Sequence, residues 1–70
     1  MPKALLTVKS GEYIITVTEV GVFITKGTHT WRVNPHIAHY VLFLVLSDRV
    51  EEAVRIGLAK SYPLPIPITS

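Results

Sequence analysis

The sequence predicts an α+β fold: an antiparallel sheet of three to four strands followed by a long or kinked C-terminal helix, assembled as a homodimer. Three observations carry that prediction. The first half of the chain alternates at the two-residue period of strands. Asn34-Pro35 then switches the pattern to helical spacing. Finally, 49% of the 70 residues are apolar and none is cysteine. A chain this short buries only about 60% of its unfolded surface. With no disulfide to staple it, the surplus apolar surface is covered most readily by a second copy.

The strands follow in order. Ala4, Leu6 and Val8 point one way, and Lys3, Leu5, Thr7 and Lys9 the other, before a Ser10-Gly11 turn. From Glu12 to Val20, Tyr13, Ile15 and Val17 take one face and Ile14, Thr16 and Thr18 the opposite one. Gly21 interrupts, and Val22 to Thr25 resumes the strand. Lys26-Gly27 forms the next turn, and Thr28 to Val33 puts His29, Trp31 and Val33 on one side. The β-branched and aromatic content of these runs favours a pleated, half-buried surface.

Asn34 is a strong N-cap residue, and Pro35 suits the first helical position, where its missing N–H costs nothing. Ile37, Tyr40, Val41, Leu44 and Val45 then fall at helical spacing, with a second stripe of Leu42, Phe43 and Leu46. One stripe covers the sheet. The other is left for a partner, which makes Tyr40, Leu42, Phe43 and Leu46 the expected dimer interface. A buried strand over Tyr40–Leu46 is the alternative, since short apolar runs do not separate the two. Ser47-Asp48 followed by Glu51 reads as a capping box at which the helix kinks or restarts. Val50, Ala53, Val54, Gly57 and Leu58 give its second half one apolar face. Prolines at 63, 65 and 67 forbid helix and interior strand, so the chain divides into a sheet-plus-helix domain over 1–60 and an extended, polyproline-like tail over 61–70. That tail either lies along a subunit surface through Leu64, Ile66 and Ile68 or frays.

Composition narrows the function. The absence of cysteine excludes a disulfide scaffold, a cysteine zinc site and a thiol nucleophile. The chain has no glutamine, one asparagine and one methionine, a scarcity of thermolabile residues that resembles thermophile proteins. Met1-Pro2-Lys3 leads into an alternating pattern rather than a signal peptide, and the apolar run Tyr40–Leu46 is far shorter than the roughly 20 residues of a spanning helix. The expectation is a cytoplasmic protein with no membrane partner, nucleoid-associated if it binds DNA. The acidic residues are not paired for general acid–base work, Ser10 and Ser47 have no visible partner base, and no glycine-rich phosphate loop occurs, so no enzyme is expected. His36 and His39 lie three apart but have no carboxylate or thiol at ligand spacing, so neither metal nor cofactor is expected.

The order of strands, Val33-Asn34-Pro35, helix, Ser47-Asp48 and Glu51-Glu52-Ala53-Val54-Arg55 resembles the positive cofactor four family of transcriptional coactivators and single-stranded DNA-binding proteins. Gly11 as a hairpin turn, the run Tyr13 to Glu19 and Lys26-Gly27 before the last strand are similar to the family's layout, and the likeness spans roughly residues 3 to 58. It implies a curved antiparallel sheet backed by a helix, a dimer, single-stranded DNA running over the sheets and their loops, and a transcription-coactivator-like or genome-maintenance role with the transcription machinery as a partner. The chain departs from the family in its basic residues: the turns carry only Lys9-Ser10-Gly11 and Lys26-Gly27-Thr28-His29, Thr16 and Thr18 stand where a basic residue would often sit, and the loop after that strand is cut to Val20-Gly21-Val22.

Charge points the same way. Lys3, Lys9, Lys26 and Arg32 set against Glu12 and Glu19 give the sheet half a net +2, the whole of the chain's +2, because Arg49, Arg55 and Lys60 balance Asp48, Glu51 and Glu52. Single-strand sites pair such cations with stacking aromatics. The expected contacts are therefore Lys9, Lys26 and Arg32 on phosphates, with Lys3 and His29 secondary, and Trp31 or Phe23 against bases. Periodicity favours a core position for Trp31, since it shares a side with Val33, and Phe23 and Tyr13 carry the same ambiguity between stacking and core, with Tyr13 leaning to core. The alternative function is a protein-interaction or structural dimer that keeps the fold without the DNA surface.

Overall fold

Alternation builds a meander of four strands: β1 (Ala4–Ser10), β2 (Tyr13–Thr18), β3 (Gly21–Lys26) and β4 (His29–Val33). The computed structural model describes residues 3–64. Pairing is antiparallel throughout, with Ile15 opposite Ile24 and Ile24 opposite Trp31. Ser10 pairs with Tyr13 and Lys26 with His29, so the β1–β2 and β3–β4 loops have two residues each. Both open on a glycine, Gly11 and Gly27, with φ of 60°. Positive φ at the first loop residue alone is the type II′ pattern, whose twist matches that of the strands it joins.

The helical switch falls where Asn34-Pro35 places it. Helix α1 (Pro35–Leu46) starts with the Asn34 side chain accepting the His36 N–H at 2.9 Å. Its end replaces one long or kinked helix by two, restarting as the alternative at Ser47-Asp48 allows, and it corrects the capping box expected there. Asp48 takes a left-handed φ of 62°, the Arg49 N–H donates to the Leu44 carbonyl at 2.8 Å, and the Asp48 N–H donates to that of Val45 at 3.1 Å. This paired closure is a Schellman stop. Ser47 therefore ends α1 instead of starting a new helix. Helix α2 (Val50–Ala59) begins after Arg49, which makes no side-chain cap bond and instead clamps Glu52 at 2.8–3.1 Å.

The second correction is at the tail. Ser61–Leu64 forms a fifth strand, β5, that returns antiparallel to β4 and completes a sheet ordered β1-β2-β3-β4-β5. Pro63 is tolerated because β5 is an edge strand, where a missing N–H leaves no ladder bond unmade. The tail residues 65–70 lie outside the described residues.

Both helices cover one sheet face. Ile15, Val17, Val22, Ile24 and Val33 meet Val41, Leu44 and Val45 of α1 and Ala53 and Val54 of α2 in one core. Helix α2 crosses so closely that a Cβ on Gly57 would sit 2.7 Å from Ile24 Cδ1 and 3.3 Å from Val33 Cγ2. Any larger residue there would have to displace the end of the fully buried Ile24 side chain. Among the described residues no helix is long and apolar enough to cross a membrane.

Candidate nucleic-acid interface

Strand parity decides which predicted contacts meet. Trp31 is on the helix side of β4, packed against the edge of the core. His29, two residues earlier, shares that side, and its ring centroid lies 6.0 Å from that of Trp31 at 31°. Lys26 pairs with His29 across the β3–β4 turn, and its Nζ lies 5.3 Å from the centre of the Tyr13 ring. Trp31, His29, Lys26 and Tyr13 thus line one open cleft with the two turns, Glu12 on one rim and Gly27-Thr28 on the other. Among the described residues no helix residue lines this cleft, where Tyr13 and Trp31 are half-buried and His29 is exposed.

The cleft holds one opposing charge. Glu12 Oε2 lies 3.6 Å from Lys26 Nζ, with both side chains well exposed, so the pair is weak and open to exchange with another anion. Tyr13, which the sequence groups with Ile15 and Val17, packs against the core and also lines this cleft, a site role the sequence does not assign it. The signal was its register: Ile14 faces Thr25, so Tyr13 falls beside Lys26.

The remaining predicted contacts go elsewhere. Lys9, the residue after core-facing Val8, is exposed on the helix-free face. Lys3 precedes β1 and is exposed at the sheet's other end. Phe23 lies between core-facing Val22 and Ile24, and so points to the helix-free face, but it is only 4% exposed and offers no open ring for stacking. The Arg32 guanidinium lies 6.0 Å from the Phe23 ring centre and donates from Nη2 to the Val20 carbonyl at 3.0 Å. Its Nε is buried without a partner, and the group packs 3.5 Å from where a Gly21 Cβ would be. Arg32 holds the β2–β3 turn. That turn is further closed by the Thr18 hydroxyl, which accepts from the Val20 N–H and donates to the Gly21 carbonyl. Beside Arg32 on β5, exposed Tyr62 is an aromatic that the sequence reading left in the tail.

The expected dimer residues also separate. Tyr40, Phe43 and Leu46 are exposed on α1, the last at 71%, with the Tyr40 and Phe43 rings stacked at 6.5 Å. Leu42 instead turns inward, half-buried against the core beside the β2–β3 turn. Among the described residues no three His, Cys, Asp or Glu side chains gather to hold a metal. Comparison with family models, with curated proteins and with solved structures finds no match for this chain.

Proposed function

We propose that this chain is a small, self-associating domain that binds single-stranded or locally melted DNA through the cleft at the turn end of its sheet. One observation carries the reading: Lys26, His29 and Trp31, three of the residues expected from sequence to touch DNA, come together there with Tyr13. Cations beside stackable rings are what a single strand offers partners to, phosphates for the first and base faces for the second. Lys26 would leave Glu12 for a phosphate, His29 would donate to a neighbouring one, and Trp31 would take a base on its open side. Nothing in the cleft reads base edges as a major-groove helix does, so sequence preference should be weak. The resemblance of the residue order to the positive cofactor four family supports the same ligand class and a role alongside transcription or genome maintenance.

The second reading, a protein-interaction or structural dimer, is favoured by α1. Its twelve residues include no Asp, Glu, Lys or Arg, and it turns Tyr40, Phe43 and Leu46 to solvent. Fluorescence anisotropy of labelled single-stranded and duplex oligonucleotides at two salt concentrations separates the readings. DNA binding predicts preference for the single strand and a loss of affinity as salt rises, with a slope of about −0.7 per phosphate contacted. A folded protein that binds neither oligonucleotide at low salt leaves only the interaction module.

A further inference from the structure

The two edges of the sheet are built differently. The β5 edge is blunted by Pro63, and prolines 65 and 67 follow it in the sequence. The β1 edge has seven residues, Ala4–Ser10, with no proline, and Lys9 is its sole charge. Its main packing partners are β2 on its inner side and α2 on one face, and among the described residues no strand pairs with its outer row of N–H and C=O groups. Edges of this length are templates for another strand, and proteins that stay alone usually guard them with charge, proline, bulges or a cover; here Lys9 and one irregularity near the start of the strand leave Leu6–Val8 unguarded. A register irregularity between Ala4 and Leu6 leaves Leu5 without a partner in β2 and 60% exposed.

From this asymmetry we infer that β1 is the edge through which a second copy of this chain joins the sheet, β1 against β1, antiparallel about a two-fold axis at Thr7. The sequence of the strand is self-complementary in that register. Leu6 of one copy faces Val8 of the other on the core side, extending the apolar layer across the join. On the helix-free side Thr7 faces Thr7, and in the same register Leu5 of each copy, at the irregularity, lies across from Lys9 of the other, so no like charges oppose. A two-fold pairing makes each of these contacts twice. This interface is separate from the apolar stripe of α1 and does not depend on DNA binding.

The test is a charge exchange across the proposed pair, read by sedimentation equilibrium. It is run in a Phe43→Glu background, so that association through α1 is not what is measured. Leu5→Lys sets lysines against Lys9 of the second copy, whereas Leu5→Glu sets carboxylates against them. Both changes fall on an exposed side chain, and thermal melts establish that each variant folds. The expected dissociation constants differ by about tenfold or more, weaker for Leu5→Lys. Adding Lys9→Glu to Leu5→Lys restores the dimer. Amide exchange over residues 4–10 slows as protein concentration rises. A monomer in the Phe43→Glu background at all concentrations overturns the inference. So does equal association of Leu5→Lys and Leu5→Glu, or slowing over residues 4–10 only when an added extended peptide is present.

Discussion

The two ends of the sheet use the same residue types for opposite purposes. At the end formed by the β2–β3 turn, Arg32 is committed: it donates to the Val20 carbonyl, packs over Gly21 and lies against Phe23. At the end formed by the β1–β2 and β3–β4 turns, Lys26 is held by an exposed ion pair and the Tyr13 ring beneath its ammonium, and the rings of Tyr13, His29 and Trp31 line an open cleft. An arginine's planar fork makes it a good internal clamp, while a lysine on a flexible stem stays exchangeable. A cation's availability to a ligand is therefore set by what its own backbone neighbours leave unsatisfied, and charge counting misses that.

The largest effect expected from breaking this contrast is at Trp31. Removing a stacking ring costs about 1–3 kcal/mol per base, so Trp31→Ala should weaken single-strand binding roughly 5- to 150-fold in an anisotropy titration. Because Trp31 also borders the core, a melting curve on the same variant gives the folded fraction. A comparable loss of stability without loss of the cleft is expected from Gly57→Leu, which forces a side chain into Ile24 and Val33. Overpacking of this kind costs about 1–3 kcal/mol, a fall in Tm of roughly 4–8 °C per kcal/mol for a domain of this size. The folded fraction should bind with unchanged affinity.

Arg32→Lys sharpens the contrast from the other end. It loses the planar contact over Gly21 and the aim of the bond to Val20, at a cost of about 1 kcal/mol in chemical denaturation, and DNA affinity should hold. An affinity loss as large as that of Trp31→Ala would mean that the ends do not differ. The smallest effect is at Glu12. Glu12→Gln releases Lys26 from its carboxylate and should tighten binding about two- to threefold at low salt, the scale of an exposed ion pair, with the gain fading as salt screens it.

Much of the scaffold was legible in the sequence because its signals are local. Asn34-Pro35 opens α1 and glycines open the two hairpin loops, as expected. The break between α1 and α2 falls at Ser47-Asp48, where the sequence places a kink or restart, but its chemistry was not legible: Ser47-Asp48 with Glu51 fits a capping box on paper, whereas the Schellman closure uses Asp48 in a left-handed conformation that sequence usually signals with glycine. Strand β5 was hidden because alternating prolines describe a solvated extended chain and an edge strand equally well. Its docking depends on β4 having a free side, a tertiary fact. The site was half legible. Parity already put Lys9 and Arg32 off the Trp31 side, but summing charge over the sheet merged two faces that the pleat keeps apart.

The most direct test of the turn-end cleft is chemical-shift mapping of the labelled protein with a short single-stranded oligonucleotide. The account predicts that the Trp31 indole N–H and the amides of Glu12, Tyr13 and residues 26–31 move together and saturate with one affinity, while Arg32 Nε and the exposed side of α1 stay still. Shifts centred on Arg32 and Tyr62, or on Tyr40 and Phe43, or none at saturating oligonucleotide, would contradict it.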